Sequence, residues 1–265
     1  VLGMLLFDTR GLRDVRWRLG VGGIVLSLWW PQLSFYGHLD DAVVLVAAVG
    51  AVLLVRRDRE WAVALLAGLA VAVKPTAVFM LAFTVPRTEW RRWAAWRPTA
   101  FAALVALLLW APFVVGNTAT LQALRPRMEF HADSVAALFG LEGGAPSGAY
   151  RAAQLLVVLG LSVYVAVRNG ATGVLLTAVA SRMLLDPAAW PYYTTSFVAG
   201  ALVWDCYERE SKVPWTTVAG GTLLAPDWLV KSDLARAALR LVTTAGAVAV
   251  VITHPRSRAA ASRRR

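Results

Sequence analysis

Apolar runs of about 15 to 20 residues recur along the chain, and short polar or basic clusters separate them. Runs of that length predict helices long enough to cross a membrane. No long stretch alternates with period two, as a membrane β-barrel would require. The predicted spans are Leu19 to Phe35, Ala42 to Val55, Trp61 to Val85, Pro98 to Gly116, Ala152 to Val167, Ala171 to Leu185, Thr194 to Cys206, Val213 to Val230 and Leu234 to Thr253. Val1 to Phe7 is an apolar stub resembling the last turns of a membrane helix, so further helices are expected before it. The expected fold is an all-α, polytopic transmembrane helical bundle with about 8–10 membrane segments. No soluble domain boundary interrupts it, so residues 1–265 read as a single integral-membrane domain.

One span breaks the pattern. Trp61 to Val73 contains 13 residues, which rise only about 20 Å before Lys74-Pro75, short of a roughly 30 Å bilayer core. As one kinked helix, the run to Val85 would carry Arg87, Arg91, Arg92 and Arg97 across the membrane. As two half-helices meeting at Lys74-Pro75, it returns them to the side of Arg56, Arg57 and Arg59. The bias of basic loops to the cytoplasmic side favours the hairpin.

Charge supports the same scheme. Charged residues make up 16% of the chain, against roughly 25% in soluble domains, and 58% is hydrophobic, with a mean hydropathy of +0.58. The net charge of +11 sits in short clusters between apolar runs, which reads as inner loops facing anionic lipid and not as a nucleic-acid surface. On this reading residues 1–18 form a basic cytoplasmic arm after the stub and residues 254–265 a basic cytoplasmic tail. Trp29 and Trp30 mark a membrane interface. Residues 117–150 form an extracytoplasmic loop, with a short interfacial helix near Ser134 to Leu141 capped by Ser134. The single cysteine, Cys206, excludes an internal disulfide and reads as a small core residue. No cleavable signal peptide is evident.

The scheme collects the unusual polar residues on the outer face. Gly37-His38-Leu39-Asp40-Asp41 opens an apolar run. Asp40 can cap that helix and Asp41 complement its dipole. Equally, one carboxylate can act as a general base with His38 orienting it. Lys74-Pro75-Thr76 can start a half-helix whose free N–H groups and adjacent ammonium suit a phosphate or carboxylate. It can also be a plain break with a snorkelling lysine. Arg125 and Arg127 can meet a phosphate or lipid headgroups. Tyr192 and Tyr193 suit stacking on a sugar, or an interfacial aromatic belt, which is the commoner use. Arg182, inside an apolar run, calls for a buried carbonyl or carboxylate partner. No metal site is assigned, because His-x-Asp-Asp lacks a second ligand cluster at defined spacing.

The order of these motifs resembles the GT-C superfamily of integral-membrane glycosyltransferases, in particular bacterial mannosyltransferase-like proteins. The residues that carry it are Gly37-His38-Leu39-Asp40, the Gly68-Leu69-Ala70 stretch leading to Lys74-Pro75-Thr76, and Leu185-Asp186-Pro187 followed by Trp190-Pro191-Tyr192-Tyr193. The resemblance implies transfer of a mannose-like sugar from a polyprenyl-phosphate-linked donor to a glycan or lipid acceptor, on the extracytoplasmic face of a bacterial plasma membrane. It gives His38, Asp40 and Asp41 catalytic roles and Lys74, Thr76, Arg125, Arg127, Tyr192 and Tyr193 substrate-binding ones. The partners implied are membrane lipids and these two substrates, with no nucleic acid. No cofactor is implied, and a divalent metal is left open. One departure stands out. Such enzymes carry an acidic residue in the first outer loop after the first membrane helix, a segment expected to precede Val1. Either Asp40 or Asp41 does that work, or the chain is an incomplete or inactive relative. A transporter built around the same broken helix, or a non-catalytic membrane protein, remains the competing reading.

Overall fold

The computed structural model describes residues 1–9, 13–35, 37–86, 91–123, 128–188, 190–224 and 229–254. Among them there is no strand, and the chain is an all-α membrane protein. The helices are α1 (Leu2–Asp8), α2 (Arg13–Trp29), α3 (Pro31–Phe35), α4 (Leu39–Val55), α5 (Glu60–Val73), α6 (Arg97–Gly116), α7 (Thr120–Ala123), α8 (Gly148–Arg168), α9 (Val174–Leu185), α10 (Pro191–Glu208), α11 (Trp215–Leu223) and α12 (Asp233–Thr253). Short 3-10 segments cover Pro75–Phe83, Trp93–Trp96, Val135–Phe139 and Ala171–Gly173. By length and apolarity alone, three stretches among the described residues can cross a membrane unaided: Trp93–Gly116, Gly148–Arg168 and Asp233–Thr253. The α6 side chains Leu104, Leu107, Leu108, Leu109, Phe113 and Val115 are exposed in the isolated protein, as a lipid-facing helix requires.

The core gathers around α10. Phe197, Leu202 and Trp204 are fully buried there, and α10 packs against α2, α9 and α11. A helix buried on nearly every side carries apolar residues all round, so its sequence shows no single inward face. That is why Trp29 departs from the interfacial expectation: it lies in the core, and its indole Nε1 donates to Gly221 O at 3.0 Å. The basic arm also departs. Residues from Arg13 onward are helical, and Arg18 is buried at the C-terminal end of α10. Its guanidinium donates to the carbonyls of Asp205, Cys206, Glu210 and Ser211 at 2.7–3.3 Å, satisfying acceptors that the helix end leaves open. The predicted crossing Val213 to Val230 is a third correction. Its helix, α11, has nine residues, about 13 Å at 1.5 Å each, and cannot span a bilayer.

The reversal at Lys74-Pro75 is present. Trp61 at the start of α5 packs edge-on against Phe101 near the start of α6, with ring centroids 5.6 Å apart. Trp110 Nε1, further along α6, donates to Ala72 O at 2.9 Å near the end of α5. The two helices therefore run parallel, and the segment between them must travel back. It does so as the 3-10 segment Pro75–Phe83, whose nine residues cover about 18 Å at 2.0 Å each, ending where Thr84 Oγ1 meets Thr99 Oγ1. Gly68 makes the parallel pair possible: a Cβ there would sit 2.6 Å from Ala102 O. The basic groups of Arg56 and Arg97 consequently share one end of the bundle, which we call the Arg56 end. Arg56 lies over the Tyr207 ring at 4.1 Å, bringing the end of α10 to the same place. Lys74 lies at the other end.

Cys206 is buried, as expected. Ser134 caps the Val135–Phe139 segment, accepting from Ala137 N at 3.3 Å. Arg125, Arg127, Arg87, the Pro226-Asp227 interruption and the tail from Pro255 lie outside the described residues.

Candidate active site

The Lys74 end is built by two helix starts and one helix break. Gly37 takes a positive φ of 68°, turning the chain so that His38 becomes the N-terminal flanking residue of α4. No side chain caps this start. Asp40 and Asp41 sit in the first turn instead, where they complement the helix dipole. Lys74 flanks the end of α5 in an extended conformation (φ −147°, ψ 109°), and Pro75, which lacks an N–H, opens the 3-10 segment.

These features bring Lys74 Nζ to 2.5 Å from Asp41 Oδ2 and 2.9 Å from Asp40 Oδ2. The carboxylates differ in access. The Asp41 side chain is 9% exposed and that of Asp40 40%, while Lys74 is 15% exposed. Asp41 is thus a buried anchor for the ammonium, and Asp40 faces outward. His38 Nδ1 lies 3.7 Å from Asp40 Oδ1 and 3.6 Å from Asp41 Oδ2, so the short orienting contacts come from Lys74 and not from His38. The His38, Asp40 and Asp41 ligand atoms lie within 4.8 Å of one another, a spacing a metal ion could use. Lys74 holds Asp40 Oδ2 and Asp41 Oδ2, so a metal there would compete with the ammonium for the Asp41 oxygen, while Asp40 Oδ1 faces His38.

Behind Lys74 lies Arg182 of α9. Its guanidinium donates to Thr76 Oγ1 at 3.3 Å and Tyr193 OH at 2.9 Å, and pairs with Asp186 Oδ2 at 3.4 Å. The expected carboxylate partner of Arg182 is therefore Asp186, four residues on. Asp41, Lys74, Thr76, Arg182 and Tyr193 line a cavity of about 40 Å³, room for a few waters but not for a sugar.

Tyr192 and Tyr193 do not form a lipid-facing belt. Both are buried, because α10 starts at Pro191 and directs them into the bundle. Tyr192 lies 3.9 Å from the His38 ring with a 30° tilt, and Tyr193 crosses Tyr192 at 4.5 Å. Trp190 stacks on Tyr192 at 6.4 Å, and His131 meets Trp190 edge-on at 5.5 Å. The connection before α8 thus folds back over the site, and His131 N donates to Pro187 O at 2.8 Å. The sequence left His131, Arg182 and Asp186 outside the predicted site residues. The buried Arg-x-x-x-Asp spacing at a helix end was the available signal for that pair. Nothing in the sequence pointed to His131.

Across Pro75 from the small cavity is an apolar groove of about 580 Å³ lined by Val71, Pro75, Ala106, Trp110, Val114 and Leu121, among others. Pro75 belongs to the groove, while its neighbours Lys74 and Thr76 line the cavity.

Against known proteins, residues 3–171 match the model of glycosyltransferase family 87. The matched stretch includes His38, Asp40, Asp41, Lys74 and Thr76, and ends before Arg182, Asp186, Tyr192 and Tyr193. The match bears out the resemblance to membrane glycosyltransferases at that level. No curated protein and no solved structure matches significantly.

Proposed function

The chain belongs to glycosyltransferase family 87, and from that premise we propose that it moves a mannose-like sugar from a polyprenyl-phosphate carrier to a glycan or lipid acceptor at the Lys74 end, taken as the extracytoplasmic face of a bacterial plasma membrane. The observation that carries this reading is the shared ammonium: Lys74 Nζ bridges a buried carboxylate and an accessible one. A carrier phosphate arriving at Lys74 competes with Asp40 for the ammonium. Asp40 is then released, and a carboxylate relieved of its cation is a stronger base. The acceptor hydroxyl oxygen attacks the anomeric carbon, its proton passes to Asp40, and the anomeric carbon–phosphate oxygen bond breaks. The carrier phosphate leaves with its added negative charge facing Lys74, which Asp41 holds in place.

The remaining residues fit supporting roles. Arg182 ties Thr76 and Tyr193 together behind the lysine and adds positive potential. His38, 35% exposed and backed by the buried Tyr192 ring, offers its open side to a sugar. Arg125 and Arg127 remain further candidates for the phosphate. The groove beside Pro75 supports a lipid-linked donor. A carrier whose phosphate meets Lys74 leads its prenyl chain past Pro75 into apolar surroundings. There the polar atom of Trp110 is already turned away, bonded to Ala72 O.

The test is donor use. The full-length protein in proteoliposomes is given labelled mannose linked either to polyprenyl phosphate or to a nucleotide, with membrane lipid and glycan extracts as acceptors. Label is expected to move from the polyprenyl-linked donor only. Transfer from the nucleotide donor alone would overturn the reading, as would full turnover of the polyprenyl donor in both Lys74→Ala and Asp40→Asn.

A further inference from the structure

The connection before α8 is held in place where it meets the α9–α10 turn. Phe130 N donates to Gly144 O, and Phe130 O accepts from Gly143 N, both at 3.1 Å. His131 N donates to Pro187 O at 2.8 Å. Asp133 pairs with Arg236 of α12 at 3.4 Å, and its backbone oxygen accepts from Arg240 Nη1 at 3.3 Å. Residues 130–133 are thus tied to the other limb of their own loop, to the α9–α10 turn and to α12. The His131 ring, between these ties, stays exposed.

That ring is one end of an aromatic row. It meets Trp190 edge-on at 5.5 Å, Trp190 lies nearly parallel to Tyr192, and Tyr192 lies 3.9 Å from the His38 ring. Beyond His38, with Nδ1 at 3.7 Å, is Asp40. Tyr192 is buried and belongs to the core, whereas Trp190 is only half-buried. His131, Trp190, His38 and Asp40 therefore all keep surface open to water, on either side of a buried tyrosine. An aromatic ring with an imidazole and a carboxylate nearby suits a pyranose. The sugar's C–H face lies on the ring, and its hydroxyls bond the polar atoms at the edge. A backbone already fixed by four hydrogen bonds and an ion pair lowers the cost of ordering the platform on binding.

We propose that His131 and Trp190 form the acceptor subsite and bind a pyranose ring, so that the acceptor presents a glycan and not a bare lipid. The proposal rests on the glycosyltransferase reading, which calls for a second substrate beside Asp40. The donor's prenyl chain has a separate place. Its groove is lined by residues of α5, α6 and α7 and by Pro75, whereas the aromatic row comes from the start of α10 and the connection before α8.

The experiment is saturation-transfer NMR on the full-length protein, in a detergent without a sugar headgroup and with no donor present. Mannobiose, maltose or lactose is titrated, with glycerol as the control. At least one disaccharide is expected to bind saturably, with its Kd about tenfold weaker in Trp190→Ala and in His131→Ala. Trp190→Tyr, which keeps a ring, should stay within about threefold of wild type. Trp215→Ala, which removes an exposed indole at the start of α11, should leave binding unchanged. No saturable binding of any of the three by the wild-type protein overturns the proposal. So does binding unchanged in folded Trp190→Ala or His131→Ala, or weakened equally in Trp215→Ala. Where Trp190→Ala does not fold, His131→Ala, at an exposed position, decides. Because the readout needs no turnover, the two readings fail separately. Absence of transfer from the polyprenyl-linked donor with disaccharide binding intact contradicts the glycosyltransferase reading. Transfer at the wild-type acceptor KM in both alanine variants contradicts the subsite alone.

Discussion

The two ends of the bundle use the same residue types to opposite effect. At the Arg56 end, Asp8 accepts from Arg57 at 3.0 Å and from Tyr207 OH at 2.7 Å, with Arg56 Nε at 3.5 Å. Arg18 there has four carbonyl partners at the end of α10. The Asp8 contacts join the ends of α1, α4 and α10. At the Lys74 end, one ammonium serves two carboxylates, one of them 40% exposed. On the proposed function the shared ammonium changes partners when a ligand arrives, whereas the pairings at the Arg56 end stay fixed.

Four substitutions and one treatment can break or sharpen the contrast. The largest effect is expected from Lys74→Met, which removes the cation facing the leaving phosphate. Transfer from the polyprenyl-linked donor should slow by about 10²–10³-fold, measured as initial rates per mole of folded protein. Arg18→Met should do the reverse. Losing charged hydrogen bonds at a buried helix end costs about 2–3 kcal/mol, read as a lower melting temperature, with the rate per folded molecule within about threefold of wild type. If Arg18→Met instead spared stability and removed activity, the contrast between the ends would collapse. Gly68→Val forces a branched side chain against the α6 backbone and should cost about 1–3 kcal/mol, again by melting, because the α5–α6 contact leaves no space. Tyr193→Phe removes the phenol that accepts from Arg182 and should slow transfer about fivefold, equivalent to roughly 1 kcal/mol. EDTA should change the rate by less than about twofold, since the Lys74 ammonium already sits between Asp40 Oδ2 and Asp41 Oδ2. A large loss restored by one divalent metal would reassign the His38–Asp40–Asp41 cluster as a metal site.

Much of this was legible in the sequence, for identifiable reasons. The spans α4, α6, α8 and α12 follow from uninterrupted apolar runs. The reversal at Lys74-Pro75 follows from a run too short to cross and from the arginines after it. That reversal brings Lys74 to Asp40 and Asp41, so the meeting of these three side chains was legible from topology. The inward turn of Tyr192 and Tyr193 could not, because α10 is apolar on all sides and its composition does not say which end meets lipid. The burial of Trp29 and the capping role of Arg18 were hidden for a similar reason: interfacial Trp and juxtamembrane Arg have the same sequence signature whether they face headgroups or the ends of neighbouring helices.

The account stands or falls on Asp40. The most direct measurement is the single-turnover rate of Asp40→Asn with the polyprenyl-linked donor prebound, alongside donor affinity. Replacing the base with an amide that still occupies the same space should lower that rate by about 10²–10⁴-fold, with donor affinity within about threefold of wild type. A rate within threefold of wild type, in protein that binds the donor and melts normally, would contradict the assignment and move the chemistry away from the Lys74 cluster.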